Sequence, residues 1–520
     1  MRRQMVIAAG MVGLAMLVPV AYLLIRSVGA GEDAWDILFR MRTAQTVGRT
    51  ALLIVTVTSV SAVIAVPIAW LTARTDLPFR GMWTLLAALP LVIPSFVGAF
   101  LFISVMGPTG LAQQALGALF GVERLPDIHG LVGATFILAM LSYPYLFLTV
   151  RGAINSLDSS AEEAARGLGH GAFSAFRRIT LPQLRPSIAA GGLLVGLYTL
   201  SDFGAVSLMR FPTFTWVIFQ QYESALDRSL AALFSLLLVA MAVGVLLMET
   251  YTRGRRKYFG SGPGSSRGHR IHRLGVWKWP AIFYLGLVST FALVLPTAVL
   301  VFWLVRGVAA GEPLVLLWQA TQNSVMVSGL AALVTVLLAV PVAALVVRYP
   351  SVLSRLMEPV SYVGYALPGV VVALALVFFG ARYAGPVYQT TALLVFAYAV
   401  LFFPVALGSV RSSLMQINPR LEDAARGLGY GQLGVLIKVT VPLMRSGLVM
   451  GAAMVFLLTM KELPATLILG PLGFKTLATS VWSASSEAFF AQAAAPALLL
   501  ILISSVPVGF LIIREKGLRT

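Results

Sequence analysis

The sequence predicts an all-α polytopic membrane protein of about twelve transmembrane helices, folded as two parallel six-helix repeats. Three observations predict it. Of the 520 residues, 58% are hydrophobic and only 11% are charged, where an average soluble domain carries about 25% charged residues. Apolar runs of about 20 residues, long enough to cross a bilayer, recur from end to end. The two halves of the chain also repeat one another.

So apolar a chain cannot cover itself with polar groups in water. Its net charge of +18 would point to nucleic acid in a soluble protein. Here the basic residues fall between apolar runs, which reads as topology, so lipid is the expected partner and nucleic acid is not. There is no cysteine, hence no disulfide framework and no thiolate metal site. His129, His170, His269 and His272 have no second ligand at helical spacing, and no metal site is assigned.

The runs lie at about 5–25, 47–73, 82–106, 129–150, 186–208 and 229–250, then at about 280–305, 323–347, 357–380, 389–410, 446–469 and 492–513. Arg2 and Arg3 precede the first, which is longer than a signal-peptide core and reads as a retained helix starting in the cytoplasm. Residues 1–250 form the first domain and 279–520 the second. Between them, 251–278 is a basic linker containing Gly260-Ser261-Gly262-Pro263-Gly264-Ser265-Ser266. Its glycines and serines make it flexible, and its arginines assign it to the cytoplasm together with both termini. Arg151, Arg166, Arg177, Arg178 and Arg185 assign the long loop of the first half to the same side. The chain is thus expected to be a multi-pass membrane protein.

The repeat is clearest in that loop. Residues 162–188 read EEAARGLGHGAFSAFRRITLPQLRPSI and 422–448 read EDAARGLGYGQLGVLIKVTVPLMRSGL, identical at 11 of 27 positions with an offset of 260. The same offset pairs Tyr143-Pro144 with Phe403-Pro404; upstream it becomes 274, pairing Pro67 with Pro341 and Arg74 with Arg348. The first half therefore holds about 14 extra residues, expected between Gly107 and Asp127. An even number of helices per repeat inserts both copies the same way up.

The physics of the loop is legible. Ser159 or Ser160, with Glu162 or Glu163, can form a capping box; in the second copy Asn418 caps and Pro419 takes the first helical position. A short helix then runs through Ala164-Ala165-Arg166 or Ala424-Ala425-Arg426 until glycines stop it. A second amphipathic piece ends at Pro182 or Pro442 and leads into the next span. The small residues give a close-approach surface, and the acid and arginine give polar anchors, so the segment suits docking into a groove on a soluble partner. A plain surface loop is the simpler alternative, but it gives no reason for the loop to repeat more closely than the membrane helices beside it.

Glu163-Ala164-Ala165, Gly169 and, after nine intervening residues, Ile179-x-Leu181-Pro182 resemble the EAA loop of binding-protein-dependent ABC importer permeases. The second copy has Asp423, Val439 and Val441 at the variable places and keeps Ala424, Ala425, Gly429 and Pro442. The resemblance spans the whole chain as two fused copies, with coupling loops at about 155–185 and 415–445. It implies a type I importer fold and assigns Glu163, Ala165, Arg166 and Gly169, with Asp423, Ala425, Arg426 and Gly429, to contacts with the ATPase. It implies as partners two copies of a cytoplasmic ATPase subunit, which bind ATP and Mg2+, and a periplasmic solute-binding protein. No phosphate-binding loop of the G-x-x-x-x-G-K-[ST] type occurs in the chain itself. A transport subunit without its own ATPase site or cofactor is therefore expected.

Thr199-Leu-Ser-Asp202-Phe-Gly-Ala-Val-Ser207 and Thr459-Met-Lys461-Glu462-Leu-Pro464-Ala-Thr466 resemble fused ferric-iron permeases. Gly470 and Lys475 depart from that pattern, and related fused permeases resemble thiamine importers, so thiamine stands as the alternative solute. Asp202 and Glu462 occupy equivalent repeat positions near the ends of apolar runs. An ionisable group in a span is a candidate pathway residue, as is Lys461; a local ion pair for Glu462 and a polar cavity for Asp202 are the simpler alternatives. Pro90, Pro94 and Pro368 interrupt helices, and Pro94 and Pro368 join the pathway candidates, although packing kinks explain them equally. Gly191-Gly192 and Gly451 suit close helix crossing. A secondary transporter with twelve helices would need acids for ion coupling but no repeated docking loop.

Overall fold

The computed structural model describes residues 2–28, 36–108, 110–122, 125–157, 167–169, 171, 174, 176–225, 228–253, 271–311, 317–349, 351–361 and 363–517. Among them the chain is helical, with one isolated bridge between Thr75 and His272. In the first half the principal helices are α1 (Arg2–Val28), α2 (Met41–Arg74), α3 (Arg80–Ala88), α4 (Ser95–Met106), α5 (Leu111–Phe120), α6 (Leu131–Ser156), α7 (Leu181–Ser201), α8 (Gly204–Leu208), α9 (Phe214–Gln220) and α10 (Arg228–Arg253). The second half continues with α11 (Lys278–Ser289), α12 (Leu295–Ala309), α13 (Leu317–Arg348), α14 (Val352–Ser361), α15 (Gly369–Tyr383), α16 (Thr391–Met415), α17 (Pro419–Gly427), α18 (Arg445–Met460), α19 (Pro464–Leu469), α20 (Leu477–Ser486) and α21 (Phe490–Gly517).

All twelve predicted apolar runs fall on helices. Nine helices among the described residues are long and apolar enough to cross a membrane, or ten if the pair Leu436–Leu443 and Arg445–Met460 counts as one span bent by 66°. The three runs outside the nine are the fifth, the ninth and the eleventh, the last of them being the bent pair; the third counts through Ser95–Phe120 although it is broken. The third run divides at Leu89–Val92 and Pro94. The ninth divides at Pro368, which leaves α15 with only 15 residues. Both prolines sit with extended backbone (ψ 148°) before a new helix; a missing N–H and a restricted preceding residue make them natural break points.

The expected first-half insertion is present. Counting from the equivalent starts of α4 and α15, the extra length lies before α6, and α5 occupies it. The second half has only the short turn Gly385–Val387 there. Gln113 fastens the end of α5: its amide donates to the Val122 carbonyl (2.7 Å) and accepts from the Leu125 N–H (2.7 Å).

The chain forms two compact units that interleave the sequence halves. One comprises Gln45–Thr213 and Ala240–Trp303. Its centre is the contact of α6 with α7. A Cβ added at Gly191 would lie 2.9 Å from the Leu146 Cα, so the backbones approach closely only because the glycine has no side chain. Tyr143, Leu146, Phe147 and Val195 are fully buried around it. The segment from α11 to Trp303 belongs to this unit although it comes from the second sequence half: the Tyr284 hydroxyl donates to the Ile64 carbonyl (3.0 Å), and Phe291 meets Phe136 edge-on at 6.3 Å.

The other unit comprises Met1–Ala44, Phe214–Val239 and Leu304–Thr520. Here α16 and α18 repeat the same close crossing. Gly451 stands over Ala406, with an added Cβ 3.5 Å from its Cα; the 260 offset relates this pair to Gly191 and Leu146. Helix α1 from the first sequence half packs here. Tyr22 meets Phe378 and Phe379 at 6.2 and 6.5 Å, and Gly13 leaves room for Met357. Each unit thus takes its leading helix from the opposite half of the sequence.

Candidate functional site

In the second copy of the repeated loop the backbone is described throughout. Asn418 caps α17, its side-chain oxygen accepting the Arg420 N–H at 3.0 Å, with Pro419 at the first helical position. The helix closes as glycine dictates: Gly429 has φ 86°, and the Tyr430 N–H reaches back to the Ala425 carbonyl at 3.2 Å. Only a residue without Cβ adopts that left-handed turn freely. In the first loop Gly169 repeats it at φ 89°. Glu163, Ala165 and Arg166 lie outside the described residues.

Along α17 the polar anchors face outward. The Asp423 side chain is 65% exposed and pairs with Arg426 at 2.5 Å. Ala425 turns inward, only 6% exposed, because it sits one helical turn from the buried Glu422. The sequence reading missed an apolar feature of the surface. Leu168 and Leu428, identical residues at the same repeat position, are 82% and 80% exposed beside the two turn glycines. A leucine that survives in both copies at full exposure was the available signal. Beyond α17, the amphipathic piece passes through Pro442, and the break before α18 falls at Met444. In the first half Pro182 lies at the start of α7 instead of ending the piece before it.

Glu422, also not singled out from the sequence, holds the loop together. Its carboxylate is buried, 3.3 Å from the Arg348 Nε, and accepts from the Thr440 hydroxyl at 3.2 Å. The Arg348 Nη2 donates to the carbonyls of Leu414 (3.3 Å) and Ile417 (2.9 Å) at the end of α16.

The candidate pathway residues fall into one cluster in each unit. In the first, Pro94 precedes α4, and Asp202 lies within hydrogen-bond reach of Ser95, its first residue. The Asp202 carboxylate also accepts the N–H groups of Ala205 (2.9 Å) and Val206 (3.2 Å). In the second, Pro368 precedes α15, and Glu462 lies directly against Gly369. Glu462 accepts the Ala465 N–H at 3.3 Å, while its carbonyl accepts from the Thr466 hydroxyl at 2.6 Å. Thr466 in turn meets the Tyr398 hydroxyl at 2.6 Å. Lys461 closes α18, next to Glu462. Each acid therefore caps the start of a short helix where the chain turns, supplying acceptors for N–H groups that have none within the helix. In a lipid environment this local satisfaction lets irregular backbone persist.

Two stretches of the chain, residues 65–257 and 335–519, match the family described as binding-protein-dependent transport system inner membrane component. The Fe(3+)-transport system permease protein FbpB 2 of Haemophilus influenzae is 33% identical over 506 residues, covering 96% of either chain. The putative ferric transport system permease protein FbpB 1 of the same organism is 23% identical over 440 residues, 79% of this chain and 68% of its own. The molybdenum transport system permease protein ModB of Escherichia coli is 34% identical over 137 residues, 26% of this chain and 58% of its own.

Proposed function

We propose, given that this chain belongs to the family of binding-protein-dependent transport system inner membrane components and carries its domain twice, that it moves ferric iron into the cytoplasm. It is a permease subunit of an ABC transporter. In the proposed cycle a periplasmic binding protein delivers the ion, and two cytoplasmic ATPase subunits bind ATP and Mg2+ and dock on the two EAA loops. Their closure and reopening drive alternating access between the pseudo-symmetric permease halves, through the difference in ATP affinity between two states. Both termini and the linker face the cytoplasm, in keeping with their arginines. The energy-converting site then belongs to the partner subunits.

The observation that carries iron as the solute is the extent of one match. A relative named for Fe(3+) transport aligns along 96% of both chains, whereas the molybdenum and molybdate/tungstate permeases align over 26 to 40% of this one. The docking role rests on the repeated surface: the glycine turn at Gly169 and Gly429, the exposed Leu168 and Leu428, and the outward Asp423–Arg426 pair. Glu163, Ala165 and Arg166 supply the equivalent anchors in the first copy.

The test is uptake by proteoliposomes holding this chain with its ATPase and binding protein, offered ferric iron, molybdate or thiamine. ATP-dependent iron uptake supports the assignment. Molybdate or thiamine uptake in its place keeps the architecture and overturns the solute. Uptake by this chain alone, driven by an ion gradient, overturns the ABC mechanism.

A further inference from the structure

Arg348 closes α13 and reaches two elements at once. One end of its guanidinium donates to the Leu414 and Ile417 carbonyls, 3.3 and 2.9 Å away, where α16 runs out of helical partners. The other, Nε, faces Glu422 at 3.3 Å in the first turn of α17. Both side chains are largely withdrawn from solvent, 14% and 8% exposed. Glu422 continues the link: one oxygen also accepts from Thr440, on the segment that returns to the membrane, and the other lies 3.8 Å from Arg426. A planar fork with several fixed donors can serve carbonyls and a carboxylate together; a lysine ammonium is a single point charge and cannot.

The first half repeats the arginine–carbonyl part of this joint. Arg74, the repeat counterpart of Arg348, is 3% exposed and donates to the Ile154 and Leu157 carbonyls at 3.1 and 3.2 Å. Those two carbonyls are the 260-offset counterparts of Leu414 and Ile417. Thr180 matches Thr440, and each is 4% exposed. The sequence places Glu162 where Glu422 stands; its structure lies outside the described residues. The arginine, the two carbonyls and the buried threonine recur in both copies, although other features, such as Asp202 and Glu462, differ between them.

We infer that Arg348 and Arg74 are positioning residues of energy coupling: each bolts its coupling loop to the ends of two membrane helices, so that a push on the loop moves the helices instead of bending the connection. This rests on the coupling-loop reading above. A buried ion pair adds little net stability but fixes one geometry among several. The unit α13 end, α16 end and α17 start then moves as one body. Neither arginine is assigned contact with solute or nucleotide.

The chain has no cysteine, so a single nitroxide at L421C, half-exposed on α17 and outside the proposed docking leucines, reports the loop without background. The full chain, reconstituted with its ATPase and binding protein, is compared as L421C alone and with R348Q, R348K, E422Q or R348Q/E422Q added. Two quantities are read: label mobility, and the ratio of binding-protein-stimulated to basal ATP hydrolysis per assembled complex. R348Q is expected to loosen the label and lower the stimulated ratio about tenfold, within the range by which single substitutions change the coupling between sites. Lys at 348 should recover part of both readouts. The double variant should be no worse than the worse single, because both remove one link. Unchanged mobility and ratio in assembled R348Q complexes overturn the proposal, as does strict additivity. A purely structural role would lower the amount of complex while leaving the ratio per complex intact. If the label in the parent L421C chain is not restrained when the ATPase binds, the docking reading itself fails; restraint without any effect of R348Q fails the arginine joint alone.

Discussion

Glu462 rests its carboxylate against Gly369, the first residue of α15, so closely that a Cβ at that position would collide with Oε1. Pro464 crowds the same point from 3.2 Å. The acid that starts α19 and the helix that restarts after Pro368 are therefore built around one another.

G369A should push the carboxylate off the Ala465 N–H and remove a helix cap, lowering stability by about 1 kcal/mol. Thermal unfolding of the detergent-solubilised chain measures it. E462A/G369A should be no less stable than E462A alone, since removing the carboxylate removes the collision. Simple addition of the two effects would show that Gly369 is required for another reason.

G429A should destabilise by about 1–2 kcal/mol through the backbone alone. Nothing lies within 4 Å of an added Cβ, while φ is 86°. G169A, at φ 89° in equally open space, should behave alike. Asn, which tolerates the left-handed region, should restore part of the loss at either site. Equal unfolding temperatures for G429A and the parent would refute the strained turn.

L428D should weaken association with the ATPase subunit about tenfold, as expected for loss of an apolar anchor at a protein interface. The leucine is 80% exposed in the permease, so its own unfolding temperature should not move. Co-purification at graded ATPase concentrations reads the first effect and a melt the second. L168D should add to it, because the two loops serve separate copies of the partner. A chain that binds the ATPase normally with both substitutions would remove the leucines from the docking surface.

Asp76 anchors the segment that leads into the second half. It accepts the Leu274 N–H at 2.8 Å and pairs with Lys278 at 2.9 Å. The Leu274 hydrogen bond first, then Lys278, hold its carboxyl below the ordinary 3.8. A depressed folded pKa means that the stabilising contribution is complete above the unfolded value and is lost as pH falls through the folded one. Protection of the Leu274 amide from hydrogen exchange, corrected for intrinsic rate, should therefore be constant from about pH 5 to 8 and fall in D76N throughout. Loss of protection in the parent near neutral pH would contradict the anchoring role.

The candidate site was legible where it depends on the local chain. Asn418, Pro419 and Gly429 announce the start and stop of α17 in their own chemistry, and the structure puts the cap and turn there. Pro94 and Pro368 mark real breaks, because a missing N–H acts wherever the residue sits. Glu422 was passed over in favour of Asp423 since two adjacent acids look alike in a sequence. A helix turns each residue by about 100 degrees from the last, and only packing against Arg348 and Thr440 decides which acid is inside. Asp202 and Glu462 stood out as costly acids in apolar runs, but the N–H groups they cap became evident only once the following backbone had turned.

The sequence by itself determined the membrane class, the two-copy repeat with its first-half insertion, the cap and turn of the repeated loop, and the helix breaks at Pro94 and Pro368. All of these follow from hydropathy, spacing and residues whose backbone preferences are intrinsic. Tertiary structure alone decided that each compact unit takes its leading helix from the opposite sequence half, and that one arginine joins α13, α16 and α17. Apolar helices are interchangeable to a hydropathy scale, and a buried guanidinium finds its partners through the three-dimensional arrangement of carbonyls and carboxylates far apart along the chain.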